Sequence, residues 1–143
     1  MLHTITGLDD PLTRLIKDDP VRPDIPVAER IGPNREILVQ MADETPVAVV
    51  CICYQNMVPE CVADLMQSDS DPSVAVFYTI WSYKPGAGRR LIFSAREHIL
   101  ANKNTVRRFV TLSPPTEMAR KFHLNNGAIE LRTNLSTVNY EYL

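Results

Sequence analysis

The segment Gly86–Leu91, with the sequence GAGRRL, joins two stretches of opposite character. Residues 74–81 before it form an apolar run of the kind that lies in the interior of a sheet. After it, Leu91, Ala95 and Ile99 recur at helical spacing. A glycine turn between a strand and a helix directs backbone N–H groups and the positive end of the helix dipole toward one point. The segment therefore predicts a binding site for a phosphate or pyrophosphate.

The composition is that of one ordinary globular domain. The chain has 143 residues, of which 45% are hydrophobic and 22% charged, enough to build a single core over residues 1–143. No stretch has the apolar length of a membrane span, and no secretory signal opens the chain. Cys51 and Cys53 lie two apart on an expected strand and Cys61 stands alone, so the cysteines lack metal-ligand spacing. These features predict a cytoplasmic protein without a metal site or a membrane contact.

The net charge of −2 conceals two regions of opposite charge. Residues 1–83 carry 13 acidic and 5 basic side chains, whereas residues 84–121 carry 9 basic and 2 acidic ones. The basic region begins at the glycine turn, and its positive field favours a polyanionic ligand. A solvated helix face explains the same charges, so charge alone does not identify the ligand.

The order of the expected elements indicates a mixed α/β sheet. A short helix over 9–17 and an ordered proline-rich loop over 19–35 precede a hairpin of strands 36–42 and 47–54. The later elements are a short helix over 59–66, a polar turn over 67–72, a strand over 73–83, a helix over 88–102, a strand over 106–112, a helix over 115–124 and a hairpin of strands 128–132 and 137–142. The strand–helix–strand step through 73–112 predicts a parallel pair with a right-handed crossover.

Two common phosphate-binding turns do not match this segment. A nucleoside-triphosphate loop needs a lysine and then Ser or Thr after its last glycine, whereas Arg89 and Arg90 follow Gly88 here. A dinucleotide-binding turn needs a third glycine or alanine and an acidic residue about twenty positions later. Leu91 takes the third place, and the next strand ends in residues 111–113, Thr-Leu-Ser.

Residues 74–142 resemble the GNAT superfamily of acyl-CoA-dependent N-acyltransferases. The signature of that family before its third helix is Gln or Arg, two residues, Gly, one residue, then Gly or Ala. Here Tyr83 stands at the first place, and Gly86 and Gly88 match. The motif of the family's closing helix falls on Thr116, Ala119, Phe122, His123, Gly127 and Ala128. Of these, only Ala119, Phe122 and Gly127 match the motif. The resemblance implies a GNAT-like mixed central sheet of six or seven strands, which is flanked by helices and contains a splayed parallel pair.

The resemblance also implies acetyl-CoA as the cofactor. Its pantetheine arm would lie along the end of the strand, near Thr79, Ile80, Trp81 and Ser82. Its pyrophosphate would lie on the amides of Gly86, Ala87, Gly88, Arg89 and Arg90, where a Cβ at either glycine would hold the phosphate away. The two arginine side chains would add charge-assisted bonds to the phosphates. Thr116 would replace the asparagine that binds the arm, or it caps a helix.

The reaction that the resemblance implies is direct attack of a primary amine on the thioester, which needs a proton acceptor and a proton donor. His123 stands at the place of the family's tyrosine acid, and a histidine donates a proton near neutral pH. A partly exposed structural histidine explains it equally. Glu60 is the nearest acidic candidate for the base, and capping of a short helix is its alternative role. Tyr78 would act through water, and a place in the core is its alternative.

Three functions follow from these expectations. The first is an acetyl-CoA-dependent N-acetyltransferase that acts on an amine of a small molecule or a protein, with residues 19–35 in the acceptor wall. The second is a non-catalytic binding or virion-assembly module on the same scaffold. The third, acyl transfer to a nucleic-acid base, lacks exposed aromatic residues for stacking, so a nucleic-acid partner is not expected. The closing hairpin offers an edge for pairing in a homodimer.

Overall fold

The computed structural model describes residues 1–66 and 68–143, and one seven-stranded sheet runs through its centre. The strands are β1 Leu2–Ile5, β2 Arg35–Ala42, β3 Thr45–Gln55, β4 Val74–Ser82, β5 Arg108–Thr111, β6 Ile129–Thr133 and β7 Val138–Tyr142. They lie in the order β1-β2-β3-β4-β5-β7-β6. The helices are α1 Ala87–Asn102 and α2 Glu117–Asn125, with three 3₁₀ helices, η1 Pro11–Asp18, η2 Val27–Arg30 and η3 Val62–Met66. The expected mixed α/β class and the number of strands are confirmed.

The N-terminal elements differ in detail from those expected. The short helices expected over 9–17 and 59–66 are the 3₁₀ helices η1 and η3. Strand β1 has no counterpart among the expected elements, because four residues are too few to show a period. It forms by antiparallel pairing with β2, from Leu2↔Gln40 to Ile5↔Ile37. The polar turn expected over 67–72 begins at Gln67, which lies outside the described residues.

Strands β4 and β5 form the expected parallel pair, but only over the first half of β4. Their pairing ends at Phe77↔Thr111, whereas β3 continues to pair with the other edge of β4 as far as Ser82. In the part of the chain that the structure describes, no strand pairs with the β5-facing edge of β4 from Tyr78 to Ser82. The register between β3 and β4 shifts at Tyr78, which is an extra, bulged residue. We call the gap between the diverging strands the cleft.

Each face of the sheet carries its own hydrophobic core. On one face α1 packs through Leu91, Ile92, Ala95 and Ile99, which are 0–1% exposed. Full burial of a leucine or isoleucine side chain is worth about 1.5–3 kcal/mol, so these contacts fix α1 on the sheet. On the other face η1, η3 and the proline-rich segment, residues 19–35, cover a second core. Cys51 and Cys53 are fully buried there, as expected of small hydrophobic residues.

A buried ion pair holds the proline-rich segment in place. Arg30 Nη1 lies 2.7 Å from Asp19 Oδ2, and both side chains are 0% exposed. The other carboxylate oxygen of Asp19 accepts a hydrogen bond from the hydroxyl of Thr79 in β4 at 2.7 Å, and two more from backbone N–H groups. Further N–H groups of Arg30 donate to backbone carbonyls inside the segment. These contacts therefore hold the proline-rich segment in a defined position against the sheet, although it contains little regular secondary structure.

Strand β6 forms one edge of the sheet, and all five of its residues are exposed. Its register with β7 shifts between Glu130 and Arg132. Such a bulge in an edge strand hinders pairing with a second chain. Homodimer formation through the closing hairpin stays a prediction. Among the described residues, no helix combines the length and the apolar character needed to cross a membrane.

Candidate functional site

The first turn of α1 presents unpaired backbone N–H groups. Gly86 precedes the helix with φ +80°, in the left-handed region that glycine adopts without a steric penalty, and no side chain caps the turn. The N–H groups of Ala87 and Arg90 have backbone acceptors within the turn. Those of Gly88 and Arg89 have no acceptor among the residues that the structure describes. Two adjacent free N–H groups at the positive end of a helix dipole suit an anion.

Gly88 has a packing reason that the sequence did not show, and the expectation that a Cβ here would hold a phosphate away stays a prediction. A Cβ at this position would lie 2.9 Å from Cε1 of Phe122 in α2 and 3.9 Å from Cβ of Ser82 in β4. Three elements therefore meet at Gly88, and the phenylalanine ring takes the room that a side chain would need. An added Cβ at Gly86 would meet nothing within 4 Å, so only there does open space face the turn.

The two arginines of the turn differ in their contacts. Arg89 Nη1 donates to the carbonyl oxygen of Asn125 at 3.1 Å and to Oδ1 of Asn126 at 3.3 Å, at the C-terminal end of α2. Its guanidinium also lies over the ring of Phe93, 5.3 Å from the centroid. Arg89 thus compensates the negative end of the α2 dipole. Arg90 is exposed and has no side-chain partner in the described part of the chain, so it is the arginine that is free to meet a phosphate.

The expected cofactor residues of β4 lie along the cleft. Ile80 is half-buried against the core under α1, and Ser82 is exposed beside Gly88. Trp81 points into the opposite core and is 8% exposed. Its indole N–H donates to the Tyr83 hydroxyl oxygen at 3.0 Å. The backbone of these residues and the side chains of Ile80 and Ser82 therefore border the cleft, whereas the indole supports the strand from behind.

The proline-rich segment contacts both strands that border the cleft. Besides the contact of Asp19 with Thr79, Arg22 Nη2 donates to the carbonyl oxygen of Leu112 at 3.0 Å. Leu112 directly follows β5, and its own N–H donates to Phe77, where the pairing of the two strands ends. Burial lowers the pKa of Arg22, and the charge of Asp19 partly opposes this shift. The segment therefore crosses the closed end of the cleft on the face opposite α1.

Tyr78 lines a cavity of about 260 Å³ beneath this segment. The cavity walls are formed by Asp24, Ile25, Pro26, Glu29, Arg35, Val62, Leu65 and Tyr78. Tyr78 is 2% exposed, and its hydroxyl has no hydrogen-bond partner in the described structure. Burial raises the pKa of this hydroxyl above its ordinary value. The group is therefore protonated at neutral pH, where it can donate a hydrogen bond but cannot act as a base.

Glu60 and Thr116 both lie at turns that hydrogen bonds within the protein stabilise. The side chain of Glu60 is exposed, and its backbone N–H donates to Oδ2 of Asp64 at 2.8 Å, so Asp64 caps this turn in its place. A basic role for Glu60 stays a prediction. Thr116 caps α2, since its Oγ1 accepts a hydrogen bond from the N–H of Ala119 at 3.2 Å. In the described part of the chain its hydroxyl proton has no acceptor, so it is available to a ligand.

His123 is enclosed between α2 and β7. It is 4% exposed, its Nδ1 lies 2.7 Å from the hydroxyl oxygen of Tyr142, and its ring stacks on Tyr140 with 5.1 Å between centroids. The alternative of a partly exposed histidine is therefore wrong. Burial lowers the pKa of His123 to about 4, so the ring is neutral at neutral pH. In this state it is not the ready proton donor that the resemblance implies.

The replacement His123→Gln is expected to reduce the decrease in the free energy of unfolding that acidification causes. The pKa of His123 is about 4 in the folded protein against 6.5 as its ordinary value, so the unfolded chain binds the extra proton between these values. The free energy of unfolding therefore falls as the pH drops, by about 2 kcal/mol between pH 6.5 and 5 from this residue. Urea titrations of wild type and variant at pH 7, 6 and 5 measure the two slopes. Equal slopes would contradict the lowered pKa.

Three residues that shape the cleft were not among the candidates from the sequence: Asp19, Arg22 and Arg30. Charged residues are mostly exposed, so a buried aspartate–arginine pair is not visible in residue type alone. One feature of the sequence could have indicated the pair. Asp19 and Arg30 lie in the same segment, whose prolines exclude regular structure.

Comparison with known proteins gives matches in structure but not in sequence. The sequence matches no protein-family model and no curated protein. The structure is similar to malonyl-CoA decarboxylase from Agrobacterium vitis, with a TM-score of 0.84 at 19% identity over 99% of this chain and 60% of that one. It is also similar to Arabidopsis thaliana NAA60 solved with acetyl-CoA, with a TM-score of 0.66 at 12% identity over 100% and 99% of the two chains. For aminoglycoside N-acetyltransferase AAC(6')-Iy in complex with CoA, the TM-score is 0.62 at 16% identity over 94% and 96%.

The chain spans about 60% of the length of the malonyl-CoA decarboxylase structures that it matches, whereas it matches NAA60 and AAC(6')-Iy over nearly their whole length. At these identities the likeness concerns the fold. It agrees with the mixed seven-stranded sheet and with the parallel pair β4–β5. The GNAT domain of S. lividans PAT is also similar in structure, with a TM-score of 0.66 at 18% identity over 99% of this chain and 88% of that one, so the chain has the fold of the GNAT superfamily.

Proposed function

We propose that the protein binds acetyl-CoA in the cleft and transfers the acetyl group to a primary amine. The observation that carries this proposal is the pair of free N–H groups of Gly88 and Arg89 at the end of β4 where the cleft is open. NAA60 and AAC(6')-Iy share the fold and are solved with acetyl-CoA and CoA, respectively, which supports the choice of cofactor.

The first turn of α1 is the proposed pyrophosphate site. The N–H groups of Gly88 and Arg89 donate to phosphate oxygens, and the side chain of Arg90 adds a charge-assisted bond. The free edge of β4 from Tyr78 to Ser82 offers backbone donors and acceptors to the amides of the pantetheine arm, as it would to an added strand. The open space at Gly86 leaves room for the phosphate beside the turn.

Bound acetyl-CoA supplies an activated carbonyl group, and the residues around the closed end of the cleft orient the amine. The carboxylates of Asp24 and Glu29 line the cavity beside Tyr78, where they would attract a positively charged amine. The Tyr78 hydroxyl keeps its proton because of burial and can donate a hydrogen bond to a negative charge that develops nearby. His123 is neutral and bonded to Tyr142, so in this proposal it positions α2 on β7.

Decarboxylation of malonyl-CoA is a second candidate function. It is favoured by the TM-score of 0.84 with the Agrobacterium vitis enzyme, against 0.66 for NAA60 and 0.62 for AAC(6')-Iy. This reaction breaks the bond to the carboxylate carbon, releases CO₂ and returns a proton to the acetyl carbon, so it requires no amine. Arg22 offers a half-buried positive charge at the closed end of the cleft, with an Nε–H that has no partner among the described residues.

Acetyl-CoA is expected to stabilise the purified protein against thermal unfolding and to release free CoA only when an amine is present. A ligand at 100 times its dissociation constant adds about 2.7 kcal/mol to the free energy of unfolding. Thiol release across a panel of amines is followed with a chromogenic disulfide reagent, and a blank without cofactor corrects for the exposed thiol of Cys61. A parallel reaction with malonyl-CoA and no amine is analysed for acetyl-CoA by mass spectrometry.

The outcomes separate the candidates. Amine-dependent thiol release supports acetyl transfer, and conversion of malonyl-CoA to acetyl-CoA without an amine supports decarboxylation. Stabilisation without either reaction identifies a non-catalytic binding module. The absence of stabilisation at millimolar acetyl-CoA would exclude an acetyl-CoA site.

A further inference from the structure

The cavity that Tyr78 lines carries a set of charges that the fold does not require. It lies on the face opposite α1, and Tyr78 directly follows Phe77, where the pairing of β4 and β5 ends. Asp24 and Glu29 from the proline-rich segment and Arg35 from the start of β2 supply its charges. Tyr78 therefore links the cavity wall to the closed end of the cleft.

These charges are not neutralised by the protein itself. Within the described residues, no ion pair involves Asp24, Glu29 or Arg35. Arg35 donates to two backbone carbonyls and meets no carboxylate. The hydroxyl of Tyr78 adds a buried polar atom that also lacks a partner in this part of the structure. A buried polar group without a partner is destabilising, so a ligand that bonds to it gains affinity.

The two carboxylates do not hold the segment in place. That role belongs to the buried pair of Asp19 and Arg30 and to the contact with Thr79. Asp24 and Glu29 are exposed instead, and they form no side-chain hydrogen bond in the described structure. Their position on the cavity wall is therefore available for recognition of a ligand.

A second cavity of about 270 Å³ adjoins the first, because Glu29 and Arg35 line both. The remaining walls of this second cavity come from residues 31–34 and from Ser68. Together the two cavities give room for a ligand whose charged groups are several bonds apart.

We propose that this cavity binds the amine acceptor and that the acceptor is a free basic amino acid. Its two ammonium groups would pair with Asp24 and Glu29, and its carboxylate would pair with Arg35. For acetyl transfer, one ammonium group would first give a proton to its paired carboxylate. The neutral amine would then bond to the thioester carbon, the C–S bond would break, and the second proton lost from the nitrogen would go to the sulfur of the departing CoA. The three side chains together have one negative charge in excess, which complements the single positive charge of such an amino acid. Its role as an acceptor rests on the proposed acetyl transfer, whereas the binding of the amino acid does not.

Isothermal titration of the full chain tests the proposal with L-lysine, L-ornithine, cadaverine and L-norleucine. Cadaverine lacks the carboxylate and norleucine lacks the second ammonium group, so both are expected to bind at least tenfold more weakly than lysine or ornithine. The double variant Asp24→Asn, Glu29→Gln is expected to lose at least tenfold in affinity for the two basic amino acids. Glu97→Gln, at an exposed position of α1 on the other face, is the matched control and is expected to bind like the wild type.

Weaker binding of lysine and ornithine to the double variant, with an unchanged stabilisation by acetyl-CoA, would support the proposal. It would be overturned if the wild type bound neither lysine nor ornithine, if all four probes bound equally, or if the double variant bound like the wild type. Selective binding of lysine or ornithine without any stabilisation by acetyl-CoA would support the cavity assignment and reject the proposed acetyl transfer, so the two failures are distinguishable.

Discussion

Replacement of Arg30 by leucine is expected to lower the free energy of unfolding by about 3–5 kcal/mol, the usual cost of breaking a buried ion pair from one side. The variant leaves the charge of Asp19 buried with only the hydroxyl of Thr79 and two backbone N–H groups as donors. It also frees the backbone carbonyls to which Arg30 donates. Urea denaturation followed by the fluorescence of Trp81 measures the loss.

Two further variants make the Arg30→Leu result specific. Arg120→Leu removes an exposed partner of Glu130 at 3.9 Å, and an ion pair of this kind contributes about 0–1 kcal/mol. Addition of Asp19→Asn to Arg30→Leu removes the uncompensated charge and is expected to recover part of the loss. A cost below about 1 kcal/mol for Arg30→Leu would mean that the proline-rich segment does not depend on this pair.

Replacement of Gly86 by valine is expected to abolish the stabilisation by acetyl-CoA. The wild type should gain about 2.7 kcal/mol at 100 times the dissociation constant, and the variant should gain almost nothing. Gly86 has φ +80°, and a β-branched residue avoids this region, so the turn must change its path. The change moves the free N–H groups of Gly88 and Arg89 and places a side chain in the open space beside them. Thermal unfolding with and without acetyl-CoA gives the gain for each protein.

The measured quantity is the gain on ligand addition, because the strained turn lowers the stability of the free variant as well. Gly32→Val is the matched control, since Gly32 also has a positive φ, +154°, and open space around it, but lies in the proline-rich segment. It is expected to keep the full gain. An undiminished gain in Gly86→Val would show that the phosphates bind elsewhere.

The sequence predicted most of the fold because the strong elements have clear periods. The apolar run of β4, the glycine turn and the helical spacing in α1 appear in the structure within one residue of the expected bounds. The hairpin β2–β3 and the helix α2 also lie where they were expected. Strand β1 was missed because its four residues become a strand only through pairing with β2.

The candidate site was less predictable, because its residues depend on contacts between distant elements. The sequence shows that Gly88 and Arg89 follow a strand, but not that Phe122 fills the space beside the glycine or that Arg89 bonds to the end of α2. The pKa of His123 depends on Tyr140 and Tyr142 in the last strand, because their packing encloses the ring.

The sequence by itself determined the order of the elements, the mixed sheet and the glycine turn, because each depends on the period or the backbone freedom of neighbouring residues. The tertiary structure alone decided where β4 and β5 separate, which arginine stays free and which charges are buried. These outcomes depend on pairing and desolvation between residues such as Asp19 and Thr79, which lie 60 positions apart in the chain. Only the packed sheet brings such residues to hydrogen-bond distance.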